Sequence, residues 1–143
     1  MTESNRREAA DRIHSAAIHL LRRVREVDTK AMGLSPSRAS ALSVLVFGGA
    51  RSLTELAYAE RVTPATMSKL VTGLERDGLV RRHPDVNDAR AIRIESTAKA
   101  RRLLERGRAS RLALLERLLS EVDDDEIEAV RVAAEALERA LRA

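Results

Sequence analysis

The chain of 143 residues contains no cysteine and no tryptophan, and its only aromatic residues are Phe47 and Tyr58. Without cysteine, disulfides, thiolate nucleophiles, zinc–thiolate sites and cysteine-based redox sensing are excluded. Six glycines and three prolines are too few for a low-complexity chain. With so few aromatic rings, the core must be built from leucine, valine, isoleucine and alanine, the mixture expected of packed helices.

Long apolar runs are also missing. No stretch approaches the roughly 18 apolar residues that suggest a membrane span, and residues 1–12 are polar, unlike a signal peptide. The length fits one domain over residues 1–143. Together these features predict a bacterial-type cytoplasmic protein with no membrane partner.

Positive charge is present but unevenly distributed. The net charge is +4, yet residues 1–120 carry 23 basic and 14 acidic side chains, whereas residues 121–143 carry three and eight. All but three of the basic residues are arginine, whose planar guanidinium group matches phosphate geometry. This composition favours a polyanionic partner, although arginine is also abundant in proteins encoded by GC-rich genomes.

Apolar residues at helical spacing predict long amphipathic helices on both sides of the central region. They cover residues 4–28, residues 97–120 and the segment after Asp123, where a run of acids suits the positive end of a helix dipole. The central region is too small to cover all of their apolar stripes. The surplus predicts a second copy of the chain as a partner, with residues 4–33 and 100–143 as dimerisation helices.

The central region, residues 34–99, has a different pattern. At positions 35–36 and 63–64 an N-cap residue precedes a proline, so helices are predicted to begin there. Residues 54–76 fit a helix-turn-helix. Arg61 occupies the turn, where glycine with a positive φ is often required. A non-glycine residue in that conformation costs on the order of 1 kcal/mol, and the alternative is a turn that avoids the conformation.

A hairpin is predicted directly after the helix-turn-helix, with strands over residues 79–83 and 91–95. On the alternation of a strand, Ile92 and Ile94 should face the core and Arg93 should face outward. A basic hairpin in this place forms a wing, a second arm beside the helix. The predicted fold is mainly α (α+β): a winged helix-turn-helix core with long N- and C-terminal dimerisation helices.

The second helix of the helix-turn-helix carries short, polar or cationic side chains opposite its apolar stripe. Short side chains let a helix approach base edges, and threonine, serine and lysine can hydrogen-bond to bases or phosphates. An ordinary solvated face usually carries glutamate as well, and only Glu75 lies at the edge of this one. The candidate DNA-binding residues of this helix and of the strands are Thr63, Pro64, Ala65, Thr66, Ser68, Lys69, Thr72, Arg76, Arg81, Arg82 and Arg93.

The stretch SLTELAYAERVTPATMSKLVTGLERDGLVRRHPDVNDARAIRIESTAKA resembles the multiple-antibiotic-resistance regulator (MarR) family of winged helix-turn-helix proteins. The most specific part is Asp88-x-Arg90 after GLVRR, and the resemblance covers residues 34–104. It implies that Arg90 enters a DNA minor groove and that Asp88 holds it. A carboxylate two residues away can fix a long guanidinium side chain that would otherwise lose rotamer entropy on binding. The alternative is an exposed pair of little energetic value. Ala100 departs from a glycine common in the family.

The resemblance further implies a homodimer on a pseudo-palindromic double-stranded DNA operator. Family members are often repressors, released when a small lipophilic or phenolic ligand lodges between the dimerisation helices and the DNA-binding core. Candidate polar contacts to such a ligand are His14, His19, Arg22 and Tyr58.

No metal, cofactor or catalytic site is predicted. His14 and His19 lie five residues apart, about 140° around a helix, and cannot share a metal as i,i+4 pairs do. The acidic run from Asp123 lacks the loop glycine and ligand spacing of an EF-hand. The chain shows no serine–histidine–aspartate set and no P-loop, so it is not predicted to be an enzyme. The remaining alternative is a winged-helix protein–protein adaptor without specific DNA binding.

Overall fold

The computed structural model describes residues 2–143, and in that part of the chain it forms six helices and a three-stranded antiparallel sheet. The elements are α1 (Glu3–Met32), α2 (Pro36–Gly48), β1 (Arg51–Ser52), α3 (Leu53–Ala59), α4 (Pro64–Arg76), β2 (Val80–Pro84), β3 (Ile92–Ser96), α5 (Ala98–Leu119) and α6 (Asp124–Arg142). The predicted mainly helical winged helix-turn-helix is confirmed. Among the described helices, none combines the length and the apolar character needed to cross a bilayer.

Helix starts follow the capping residues of the sequence. Ser35, Thr63 and Asp123 each accept a hydrogen bond from the backbone N–H three residues further on. Each bond satisfies an amide that the first turn of a helix leaves without a partner. The interpretation of the acidic run at Asp123 as a helix start, and not as a calcium loop, agrees with this geometry.

The core lies where α2, α3, α4 and β3 meet. Its largest fully buried side chains are Leu42, Leu45, Leu56, Met67, Val71, Leu74 and Ile94. Both aromatic rings stay outside it, since Phe47 is 80% exposed and Tyr58 is 86% exposed. The aliphatic core expected from the composition is confirmed.

The turn between α3 and α4 passes through Arg61, which has a φ of 55°. The N–H of Val62 donates to the carbonyl of Ala57 at 3.0 Å and closes this turn. The turn therefore adopts the left-handed conformation that favours glycine, and the alternative in which it avoids this conformation is wrong. An L-residue held there costs about 1–2 kcal/mol.

The sheet has the strand order β1-β3-β2. Strands β2 and β3 form the wing and pair from Val80 with Ser96 to Pro84 with Ile92. Ile94 is buried as predicted, but Ile92 is 48% exposed, so the prediction that it faces the core is wrong. Residues two apart share a side of a strand, and Ile92 lies at the far end of the ladder, beyond the helices that cover Ile94.

The C-terminal part of α1 packs against α5. Gly107 permits the close approach, because a Cβ at this position would lie 2.7 Å from Sδ of Met32. Beside it, Nη1 of Arg111 lies 2.6 Å from Oδ1 of Asp28. By contrast, residues 3–23 of α1 are all exposed, and α6 buries none of its residues.

Candidate DNA-binding surface

Helix α4 has one buried face and one open face. Met67, Val71 and Leu74 are fully buried and fix how the helix is rotated on the core. The predicted contact residues on the opposite side are accessible: Pro64, Ala65, Thr66, Lys69, Thr72 and Arg76 are exposed, and Ser68 is half-buried. The sequence periodicity therefore assigned the inner and outer faces of this helix correctly, and the face proposed for DNA is open to a ligand.

The start of α4 contains two linked threonines. The Thr63 hydroxyl accepts from the backbone N–H of Thr66 at 3.2 Å and donates to the Thr66 hydroxyl oxygen at 2.9 Å. Thr63 therefore caps the helix, and both of its hydrogen-bonding roles are used within the protein. The hydroxyl hydrogen of Thr66 is free to donate outward, so Thr66 is the better candidate for a base or phosphate contact.

Arg82 links the wing to α4. Its Nη2 donates to the hydroxyl of Thr72 at 3.3 Å, and its Nε lies 3.8 Å from Oε2 of Glu75. The Thr72 hydroxyl in turn donates to the carbonyl of Ser68 at 2.9 Å. In the structure Arg82 and Thr72 join β2 to α4, and their predicted contact with DNA stays a prediction.

The tip of the wing is folded by two aspartates. Asp85 Oδ1 accepts from the N–H of Asn87 at 2.8 Å and from that of Asp88 at 3.3 Å. Asp88 Oδ1 accepts from the N–H of Arg90 at 3.0 Å. The contact between Asp88 and Arg90 is thus to the backbone, and no ion pair joins their side chains in the described part of the chain. Asp88 shapes the turn from which the exposed Arg90 side chain projects.

The strands of the wing carry further charge. Arg81 lies 3.4 Å from Glu95, and Nε2 of His83 lies at the same distance from that carboxylate. The Arg81 side chain remains 67% exposed, so its guanidinium is available to a phosphate. Arg93 behaves differently: it is 30% exposed, and its nitrogens face acceptors of the protein itself.

The winged helix-turn-helix has recognisable relatives. A family model described as MarR family matches residues 31–92. An HTH-type transcriptional regulator of Mycobacterium leprae is 30% identical over 135 residues, 94% of this chain and 93% of that protein. This chain belongs to the MarR family. It is a DNA-binding transcription regulator of the winged helix-turn-helix type and not an enzyme.

Two further relatives resemble this chain. The HTH-type transcriptional repressor YetL of Bacillus subtilis is 36% identical over 75 residues, 52% of this chain and 45% of that protein. The solved structure of a MarR family protein from Bacillus stearothermophilus is 26% identical and superposes with a TM-score of 0.78, over 100% of this chain and 99% of that one. The second comparison extends over the long outer helices as well as the winged core.

This MarR regulator has a cavity of about 360 Å³ between its outer helices and its winged core. Its apolar lining comes chiefly from Met32, Val46, Phe47 and Leu104, and its polar lining from Asp28, Ser40, Ser43, Arg101, Glu105, Arg108 and Arg111. These residues belong to α1, α2 and α5. The cavity can take a small molecule with an apolar body and one or two polar groups.

The four residues predicted as ligand contacts do not line this cavity. Arg22 borders a separate shallow groove on α1, His14 and His19 are exposed on the same helix, and Tyr58 is exposed on α3. The structure therefore does not bring them together as one site. They were chosen for their polar chemistry alone, and the contacts that create the cavity are tertiary.

Sequence reasoning missed all of the cavity residues, and Phe47 and Arg108 illustrate why. Phe47 gave one usable signal, since it is one of only two aromatic residues and stands directly before Gly48-Gly49. Arg108 gave none, because arginine is abundant throughout the chain. Within the described residues, no group of three or more histidine, aspartate or glutamate side chains could hold a metal ion.

Proposed function

We propose that this MarR regulator is a repressor that binds as a homodimer to a pseudo-palindromic operator in duplex DNA. The observation that carries the proposal is the open face of α4 with a basic wing directly beside it. A helix of this kind fits the major groove, and an adjacent hairpin can reach the neighbouring minor groove. The two arms together give base reading and phosphate attraction in one unit.

Individual roles follow from which groups remain free. On α4, Thr66, Ser68 and Lys69 lie near the start of the helix, the part that reaches base edges. On the wing, Arg81 and Arg90 are exposed, and the narrow minor groove of A·T-rich DNA concentrates negative potential that attracts arginine. We therefore assign sequence reading to α4 and flank recognition to the wing.

Assembly as a homodimer is supported by the uncovered outer helices. Along α6 the apolar residues Ile127, Val130, Ala134, Leu137 and Leu141 share one face, and none of them is buried within the protomer. In such a dimer, two copies of α4 are expected about one helical turn of DNA apart. The operator then has two inverted half-sites.

Release by an effector is supported by the cavity and by its connection to the helix-turn-helix. Ser40 lines the cavity, and its hydroxyl donates to Oε1 of Glu60 at 3.0 Å. Glu60 is the C-cap of α3, next to the turn at Arg61. A small lipophilic ligand with a phenolate or carboxylate would pair with Arg108 and contact Ser40. It would thereby act on the turn that orients α4.

Selection from a random duplex library tests the DNA-binding part. We expect one pseudo-palindromic site to be enriched. Lys69→Ala should then lose about 1–3 kcal/mol of binding free energy at one base position of each half-site. Lys30→Ala is the matched control, because Lys30 is an exposed lysine in the last turn of α1 and should leave binding unchanged. If no duplex is enriched and no binding depends on salt, the adaptor alternative replaces this proposal.

The salt dependence of binding tests the wing. Removing Arg90 from both wings should reduce the magnitude of the slope of log K against log salt by up to about two, because fewer counterions are released. Arg139→Ala serves as the control, since Arg139 is an exposed arginine near the end of α6. An unchanged slope for Arg90→Ala would exclude Arg90 from the phosphate contacts.

Thermal shifts with a panel of phenols and phenolic acids test the effector part. A ligand that raises the melting temperature should also weaken operator binding, and Arg108→Ala should reduce both effects. Arg106→Ala is the matched control, because Arg106 is exposed on the same helix but does not line the cavity. If the two variants respond equally, the ligand does not bind in this cavity.

A further inference from the structure

Arg93 is the most highly connected arginine of the wing. Its Nη2 donates to the carbonyl of Ala50, its Nη1 lies 3.8 Å from Oε1 of Glu55, and its Nε lies 3.6 Å from Oδ2 of Asp85. The three acceptors come from the loop before β1, from α3 and from the tip of the wing. One side chain on β3 thus joins the tip of its own hairpin to two segments about 40 residues earlier in the chain.

A continuous series of contacts connects the Arg93 guanidinium to the backbone of Arg90. Asp85, which is only 21% exposed, pairs with Arg93 through one carboxylate oxygen. With the other oxygen it accepts from the backbone amides of Asn87 and Asp88. Asp88 then accepts from the amide of Arg90. The position of the Arg90 backbone is therefore connected, contact by contact, to α3 of the helix-turn-helix.

We infer that Arg93 is a positioning residue of the DNA-binding surface, which holds the wing tip against the helix-turn-helix so that Arg90 is placed for its groove. This inference rests on the proposed function. It replaces the prediction that Arg93 contacts DNA. The donors of Arg93 face protein acceptors, and the two carboxylates beside it would repel a phosphate brought to the same place.

The chemistry requires arginine at this position. A guanidinium group presents five N–H donors in a fixed planar fork and can serve three acceptors in different directions. A lysine ammonium is a single compact point charge on a flexible stem, so it can replace one of these contacts but not all three. Arg93→Lys therefore separates positioning from charge, since the charge is kept and the geometry is lost.

The test combines Arg93→Lys and Arg93→Gln with Arg90→Ala in double-mutant cycles on the selected operator. If Arg93 is a positioning residue, either substitution should lower the affinity of the protein for the operator about tenfold. Most of that loss should disappear when Arg90 is already alanine, because the cycle reports coupling. Discrimination between native and scrambled flanks should fall, while preference at the half-site core persists. Arg106→Lys is the matched control, because Arg106 is an exposed arginine on α5 outside the DNA-binding surface, and this variant should stay close to the parent.

Direct phosphate contact by Arg93 would give the opposite pattern. Lysine would then restore binding, and glutamine would add its loss fully to that of Arg90→Ala; either result overturns the inference. If the parent protein binds no duplex, amide hydrogen exchange tests the inference without DNA. Arg93→Lys should speed amide hydrogen exchange at Asn87, Asp88 and Arg90. Unchanged exchange at these amides, with an unchanged melting temperature, would equally overturn it.

Discussion

Arg61 is held in a backbone conformation that suits glycine better, with a φ of 55°. We expect Arg61→Gly to increase the free energy of unfolding by about 0.5–1 kcal/mol. Relief of a left-handed L-residue gives about 1–2 kcal/mol, and the greater freedom of glycine in the unfolded chain offsets roughly half of it. Urea unfolding at a fixed protein concentration measures the change. Arg61→Ala, which keeps the strained backbone, should show no such gain; an equal gain would mean that the arginine side chain is the cause.

Asp88 distinguishes two ways of placing a wing arginine. Because Oδ1 accepts from the backbone of Arg90, asparagine keeps the acceptor and also removes a negative charge from the tip. Asp88→Asn should therefore bind the operator at least as tightly as the parent. Asp88→Ala should lose up to about 1 kcal/mol, the value of a typical hydrogen bond. Titrations at low salt compare the three proteins, and equal losses for Asn and Ala would favour a direct hold on the guanidinium.

Residue roles were predictable where a local pattern determines them. The open face of α4 followed from helical spacing, because Met67, Val71 and Leu74 had to point inward. Arg93 was predicted to face solvent from strand alternation, yet Glu55 and Asp85 draw its guanidinium back to the protein. These partners lie on other elements, and no single-sequence pattern shows that they meet.

At the scale of helices, two glycines are expected to respond differently to substitution by alanine. A Cβ on Gly107 would meet Met32, which is buried where α1 crosses α5, so Gly107→Ala should overpack the crossing. We expect a net loss of about 1–2 kcal/mol in unfolding free energy, after the gain in helix propensity is included. Gly73 on α4 faces only the flexible end of Arg38, so Gly73→Ala is the matched control.

The control should be nearly neutral. Alanine in a helix interior gains about 1 kcal/mol over glycine, and displacing Arg38 from Asp77 loses a half-exposed ion pair of about 0–1 kcal/mol. Thermal or urea unfolding of both variants checks the comparison. A larger loss for Gly73→Ala than for Gly107→Ala would contradict the packing argument for α1 and α5.

Element boundaries followed the sequence where a cap marks them. Helix α2 begins after Ser35 and α4 after Thr63, as their N-cap and proline pairs predict. The first helix was predicted over residues 4–28, and it continues for a further turn to Met32 before it stops at Gly33, which has a φ of 65°. That extra turn brings Met32 to the cavity, so the cavity could not be derived from the predicted elements.

The stability of the assembled molecule should depend on protein concentration. In a single protomer α6 has no buried residue, and a helix of this length gains most of its stability from packing. If the helix folds against a second copy, the melting temperature rises with protein concentration. Differential scanning calorimetry over a hundredfold range of concentration measures this. A constant melting temperature would mean that the outer helices do not join two copies.

Deletion of residues 121–143 tests the same interface. Leu112 and Leu119 are already 40% and 36% exposed in the protomer, and the deletion removes the helix that we expect to help cover them. The shortened protein should be monomeric or should aggregate, as followed by light scattering. A soluble, tight dimer without these residues would rule out α6 as a principal part of the interface.

Tyr58 is the only tyrosine of a chain without tryptophan, so its ring supplies nearly all of the intrinsic fluorescence. The ring is 86% exposed on α3, and its solvent environment changes little when the protein unfolds. It lies three residues before Arg61, beside the turn of the helix-turn-helix, where a bound macromolecule would cover or quench it. The protein therefore carries a natural optical probe whose signal reports occupancy of this surface and not the integrity of the fold.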